Sequence, residues 1–206
     1  MSSPASPPSV KEACVQAARE LIALQGPHQL SLREVARRLG ISHQAPYKHF
    51  ATREHLVAEV MERCYRDFAD ALERRTRHDD PRKDLRALAR SCASYARRHP
   101  EEYRLMFDTP WPEPAEHPGL VRAANRAFGV LQKVLRRQHG ADAAGRRAAD
   151  LDAVFLWSVT HGFLGIASTR IMPLLGLSSA VARRMPAHVM HAMWRAISPE
   201  GAARDR

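Results

Sequence analysis

The sequence is poor in the features that tie a chain to catalysis, cross-linking or a bilayer. Only three cysteines stand among 206 residues. Cys14, Cys64 and Cys92 are odd in number, far apart and set among apolar positions, with no Cys-x-x-Cys. A disulfide framework is therefore not expected; reduced core thiols are, with a single-cysteine redox sensor as the other reading. No run of ~18 consecutive apolar residues occurs, so no membrane span is expected. Residues 1–9 are rich in Ser and Pro, with neither a basic start nor an apolar core, which argues against a secretory signal and for the cytoplasm. Gly-x-Ser-x-Gly, a Walker loop and His-Glu-x-x-His are all missing. His188 and His191 are an i, i+3 pair without a third ligand, and Asp150 and Asp152 point to different helix faces. No metal, cofactor or catalytic pair is expected.

Acid is also short. Asp and Glu number 22 against 32 Lys and Arg, a net charge of +10. Nucleic acid is the simplest partner for such a surplus, with an anionic membrane surface as the rival. Hydrophobic residues at 45% and charged residues at 26% exclude wholesale disorder. The length accommodates two small domains.

No segment alternates with period two, whereas helical spacing recurs throughout. Val10, Cys14, Ala17, Leu21 and Leu24 mark a first helix that Gly26-Pro27 ends. From Thr52, a candidate N-cap, Leu56, Val60, Cys64, Phe68 and Leu72 line one face of a long helix reaching about Arg77. Helices are expected from about Arg82 to Arg98, Glu101 to Phe107, Leu120 to His139, Leu151 to Thr169 and Pro186 to Ile197. The strongest linker, Asp108 to Pro118, holds four prolines, and Pro173 and Gly176 mark a loop. The fold class is all-α.

Residues 31–50 read as a helix-turn-helix. Leu32, Val35, Ala36 and Leu39 fall at i, i+3, i+4, i+7, Gly40 stops that helix, and Ser42 is placed to cap a second one. Between Ser31 and Arg53 stand Arg33, Arg37, Arg38, Lys48 and Arg53 against the single acid Glu34. Such a unit presents the N-terminus of its second helix to base edges in the major groove. Ser42, His43, Gln44 and Ala45 are the candidate readers: Gln44 can bond adenine, His43 can donate to guanine, and Ala45 can touch a thymine methyl. Pro46 removes a backbone donor there, so the recognition helix is expected to start late or tilt. Ser31 offers a hydroxyl at a helix N-terminus to a phosphate. Arg33 can reach a phosphate or a base edge and Arg53 a phosphate, while Arg37 and Arg38 read as solvated charges.

Tyr47-Lys48-His49-Phe50 followed by Ala51-Thr52-Arg53-Glu54 resembles the DNA-binding domain of TetR-type repressors, and the stretch from about Val10 to Leu72 fits that pattern. Leu156-Trp157-Ser158-Val159-Thr160-His161-Gly162 resembles the Trp-x-x-x-His-Gly signature of one subgroup of TetR C-terminal domains. The resemblance implies that Tyr47 and His49, with Lys48 beside them, contact phosphate. It further implies an N-terminal three-helix DNA-binding domain (10–54) and a C-terminal helical bundle for ligand binding and dimerisation (55–198); the Ser- and Pro-rich residues 1–9 read as a disordered arm and residues 199–206 as a tail.

The implied function is a ligand-responsive regulator, a repressor released from a palindromic operator in double-stranded DNA by a small apolar or aromatic effector. The alternative is a constitutive, ligand-independent DNA binder. Tyr95, Phe107, Trp111, Phe128 and Trp157 are the candidate apolar lining of the effector pocket, with His161 as its polar group; core packing is the other explanation for each. The helix from Leu151 is too apolar around its circumference to face water. A homodimer through the last two helices is therefore expected, with Ser158, Gly162 and Ala167 allowing close approach and Met193 and Trp194 filling the seam.

Overall fold

A computed structural model of the protein describes residues 9–169 and 172–198. Among them are eight α-helices and no strand: α1 (Val10–Gln25), α2 (Leu32–Leu39), α3 (Arg53–Glu73), α4 (Pro81–Arg98), α5 (Pro100–Phe107), α6 (Pro118–His139), α7 (Ala143–Ser168) and α8 (Ser179–Ile197). The expected arm at 1–8 and the tail at 199–206 lie outside the described residues. Ser9, assigned to the arm from sequence, caps α1: its hydroxyl accepts from the Glu12 amide at 3.2 Å. Thr52 caps α3 as expected, accepting from the His55 amide at 3.4 Å.

Two helices begin earlier than their apolar pattern. α7 starts at Ala143 rather than Leu151, because Asp142 accepts from the Gly145 amide at 2.7 Å and nucleates polar, Ala-rich turns that carry no stripe. α8 starts at Ser179, where Ser178 accepts from the Val181 amide at 3.3 Å, so Pro186 lies inside the helix instead of opening it.

The chain forms two compact units. The first takes the described residues up to Phe68 together with Arg98–Asn125; the second takes Ala69–Arg97 and the described residues from Arg126. The boundary placed near residue 54 from sequence thus falls within α3, and α5 with the start of α6 joins the helix-turn-helix. Phe50, Phe68, Ile22, Leu56, Met61, Leu105 and Met106 are fully buried in this first core. Arg19 on α1 ties three helices, donating to Glu102 on α5 at 2.9 Å and to Asp67 on α3 at 2.7 Å. The Tyr65 hydroxyl donates to the Met106 carbonyl at 3.0 Å.

In the second unit Leu85, Leu88, Cys92, Tyr95, Leu131, Leu135, Ala149, Ala153 and Leu156 are buried. Asp84, 1% exposed, pairs with Arg75 at 3.1 Å and with Arg137. All three cysteines are free and buried. Burial pushes the Cys14 and Cys64 thiols up, keeping them protonated and poorly nucleophilic. That favours core thiols over a redox sensor. By length and composition α7 could cross a membrane. Its Ala149, Ala153 and Leu156 are buried against protein, but only 11% of its most apolar 18-residue window is.

Candidate nucleic-acid interface

The interface is assembled from the ends of short elements. Ser31 caps α2, its Oγ accepting from the Glu34 amide at 3.1 Å. The hydroxyl proton is left for an outside acceptor such as phosphate. Leu32, Val35 and Ala36 turn inward, so Arg33 on the opposite face is exposed, with no acidic partner among the described residues. Arg37 is engaged by Glu34 at 2.5 Å and Arg38 by Glu20 at 2.7 Å, consistent with their reading as surface charges.

Gly40 ends α2 in the left-handed region, φ 65° and ψ 27°. The Ile41 amide bonds the Ala36 carbonyl at 3.1 Å and the Gly40 amide bonds that of Arg37 at 3.3 Å, a Schellman stop.

The segment that follows Gly40 is not a regular α-helix. A helix capped at Ser42 needs an amide at residue 46 to meet the Ser42 carbonyl, and Pro46 has none. The Ala45 amide takes that carbonyl at 3.0 Å instead, and a tight 3-10 turn, Pro46–Lys48, follows. The expected capping by the Ser42 hydroxyl is therefore corrected: its carbonyl serves, and the residue before the 3-10 turn is Ala45, without a side-chain cap. The Phe50 amide closes the segment on the Pro46 carbonyl at 2.9 Å. Pro46 and Phe50 are buried and act as anchors, leaving Ser42, His43, Gln44, Tyr47, Lys48 and His49 exposed and Ala45 half-buried. The geometry therefore presents four hydrogen-bonding side chains, a phenol and an ammonium from one short, doubly anchored stretch.

Arg53 departs from expectation. Its Nε donates to the Leu30 carbonyl and its Nη2 to the Pro27 carbonyl, both at 2.8 Å. Its guanidinium braces the α1–α2 connection rather than standing free for phosphate. Periodicity could not reveal this, because the acceptors are backbone carbonyls of a turn.

The six residues expected to line an effector pocket fall in two groups. Phe107 and Trp111, in the first unit, flank Tyr65 with ring centroids 5.7 and 5.6 Å away. In the second unit Phe128 meets Trp157 edge-on at 5.3 Å, Trp157 lies 4.3 Å from His161, and Tyr95 is buried. Burial pushes the His161 imidazole down to about 3, so it is neutral at physiological pH. A cavity of about 740 Å³ in the same unit is lined by none of these six. Its walls are Arg86, Arg90 and Arg97 of α4, Thr160 and Phe163 of α7, and Met190 and His191 of α8, among others. The arginines stand at i, i+4 and i+11, a one-sided spacing that sequence reasoning passed over.

On α7, Leu151 is 72% exposed, Val154 58% and Ile166 53%, with Phe155, Ser158, Gly162 and Ala167 also exposed. Met193, expected at a seam between subunits, is buried within its own unit, and Trp194 carries the Arg82 guanidinium 5.4 Å above its ring. Met193 is thus taken up by the second unit's own packing, while Trp194 remains half-buried.

A helix-turn-helix that exposes a polar and basic segment, continued by a second helical unit, belongs to DNA-binding transcriptional regulators rather than to enzymes. Residues 15–60 match the family model for bacterial regulatory proteins of the tetR family, and residues 85–189 match that for the tetracyclin repressor-like C-terminal domain. The chain belongs to the TetR family. It is 29% identical over 140 residues to the HTH-type transcriptional regulator Rv1816 of Mycobacterium tuberculosis, a match covering 66% of this chain and 57% of that protein. The chain thus spans less than two thirds of that relative's length. A solved protein of unknown function from Rhodococcus sp. RHA1 superposes with a TM-score of 0.69 at 25% identity, covering 94% of this chain and 98% of its own. BioQ, solved with its natural double-stranded DNA operator, shares the fold with a TM-score of 0.64 at 18% identity, over 92% of this chain and 98% of its own.

Proposed function

We propose that this DNA-binding regulator works in the cytoplasm as a two-fold homodimer, a repressor released from a palindromic operator by a small apolar or aromatic effector. The observation that carries the proposal is the apolar face of α7, where Leu151, Val154, Phe155 and Ile166 stand exposed. A second copy is the commonest cover for such a surface, and two-fold symmetry then sets two recognition segments on successive turns of the groove, roughly 34–36 Å apart. Ser31, Arg33, Tyr47, Lys48 and His49 would hold phosphate, and His43, Gln44 and Ala45 would read bases.

The aromatic set with Tyr95, Phe128 and Trp157 would enclose the effector's apolar body, with neutral His161 supplying one orienting hydrogen bond. Release requires the effector to prefer one state of the protein over the other, typically by about 1–3 kcal/mol. α3 is placed to transmit that difference, since it starts beside the recognition segment and its last residues belong to the second unit. A second reading of the effector rests on Arg86, Arg90 and Arg97 in the 740 Å³ cavity: an apolar molecule bearing an anionic group.

Tryptophan emission tests the proposal. A panel of apolar compounds, with and without a carboxylate, is titrated into the protein and into Trp157→Phe. One compound is expected to shift the wild-type signal and to release operator DNA over the same concentration range. Tight palindrome binding that no compound relieves would favour the constitutive binder instead.

A further inference from the structure

Glu116 and His117 lie side by side at the end of the proline-rich loop before α6, and His55 lies in the first turn of α3. One ligand atom from each lies within 4.8 Å of the others. His55 Nε2 is 3.5 Å from Glu116 Oε2, and the His55 and His117 ring centroids are 5.3 Å apart. We propose that His55, Glu116 and His117 form a binding site for a divalent transition-metal ion of the zinc class, joining the first turn of α3 to the loop that enters α6.

The donor set selects the metal. Two imidazoles and one carboxylate suit zinc, cobalt and nickel, whereas calcium and magnesium favour sites made of oxygen alone. Tetrahedral zinc with bonds of about 2.0–2.1 Å places neighbouring donors roughly 3.3 Å apart. The His55–Glu116 pair, at 3.5 Å, is close to that spacing, and the His117 donor lies within 4.8 Å of both. Three protein ligands leave one position for water.

The backbone beneath these side chains is fixed. The Glu116 amide donates to the Glu113 carbonyl at 3.1 Å and the His117 amide to the Pro114 carbonyl at 3.2 Å. The His117 carbonyl accepts from the Val121 amide at 3.2 Å, starting α6. A second, independent contact brings the first turn of α6 against α3. Gly119 lies so close to the Glu62 carboxylate that a Cβ there would overlap it. His55 and Glu62 are i, i+7 and so share one face of α3. No Lys or Arg pairs with Glu116 among the described residues; its close neighbour is the His55 imidazole at 3.5 Å. The expectation of no metal rested on local ligand spacing. His55 and the Glu116-His117 pair are too far apart in sequence for spacing to join them.

An ion here would brace the helix that leaves the recognition segment, all within the first unit. The test uses the full-length, untagged protein. Addition of Co²⁺ is expected to give visible ligand-field bands that saturate at one ion per chain, and Zn²⁺ to displace them and raise the melting temperature. His55→Gln and His117→Gln should each abolish both effects while retaining wild-type helicity, and the His188→Ala/His191→Ala double variant should retain both effects. Absence of bands at micromolar Co²⁺, or bands that persist in the two Gln variants or vanish in the α8 double variant, would overturn the site. If one Gln variant fails to fold, Glu116→Gln supplies the same reading from the carboxylate side.

Discussion

Gln44 and Tyr47 stand three residues apart on the same exposed stretch, yet their chemistry assigns them different work. A phenol or imidazole on a phosphate positions the protein without reading sequence. Tyr47→Ala and His49→Ala should therefore weaken binding to operator and unrelated duplexes alike. Gln44→Ala should cost about 1–3 kcal/mol at one base pair and leave other positions unchanged, as read by competition with single-substituted operators. Arg53 shows where such residue-level reading stops. Its charge was legible, but its acceptors, the carbonyls of Pro27 and Leu30, exist only after the turn has formed.

His161 adds a pH dependence. Its folded value near 3 lies below the ordinary 6.5, so the unfolded chain takes up a proton first as pH falls. Stability is lost from about pH 6.5 downward, by up to ~1.4 kcal/mol per unit for this group. Urea melts at pH 7 and pH 5 should show a smaller drop for His161→Gln than for wild type. An equal drop would mean that the imidazole is not held neutral by the fold.

Among the elements, those with an apolar stripe were legible and those built by capping alone were not. α1, α2, α3 and α6 follow their periodicity, but the early turns of α7 and α8 rest on Asp142 and Ser178 ahead of any stripe. The recognition element is the instructive case. Pro46 signalled a disturbed helix, and the outcome, a turn followed by Pro46–Lys48 in 3-10 form, depends on which amide reaches the Ser42 carbonyl. Gly40 controls where this element points. A Cβ at Gly40 would meet no neighbour, but its φ of 65° strains any L-residue. Gly40→Ala should lower stability by about 1–2 kcal/mol in denaturant melts, with no new clash to repair. An unchanged midpoint would mean that the left-handed stop does not limit stability.

For the molecule as a whole, the apolar circumference of α7 predicted an exposed face, and Leu151, Val154 and Ile166 provide it. Which α8 residues join it was not legible, because one helical stripe cannot say whether Met193 and Trp194 face their own unit or a second copy. Phe155→Glu adds a charge to the exposed face and should shift the sedimenting species from dimer toward monomer at micromolar concentration, with helicity unchanged. A dimer that survives Phe155→Glu together with Leu151→Arg would place the two-fold contact elsewhere.

Selection of binding sites from random duplex DNA by the full-length protein tests most directly whether residues 42–49 of a two-fold dimer read an operator. The expected product is an inverted repeat with half-sites centred about 10–10.5 base pairs apart, or a multiple of that. Repeating the selection with Gln44→Ala should relax one symmetric position in each half-site. Recovery of a lone half-site, of no motif, or of an identical motif with the variant would contradict it.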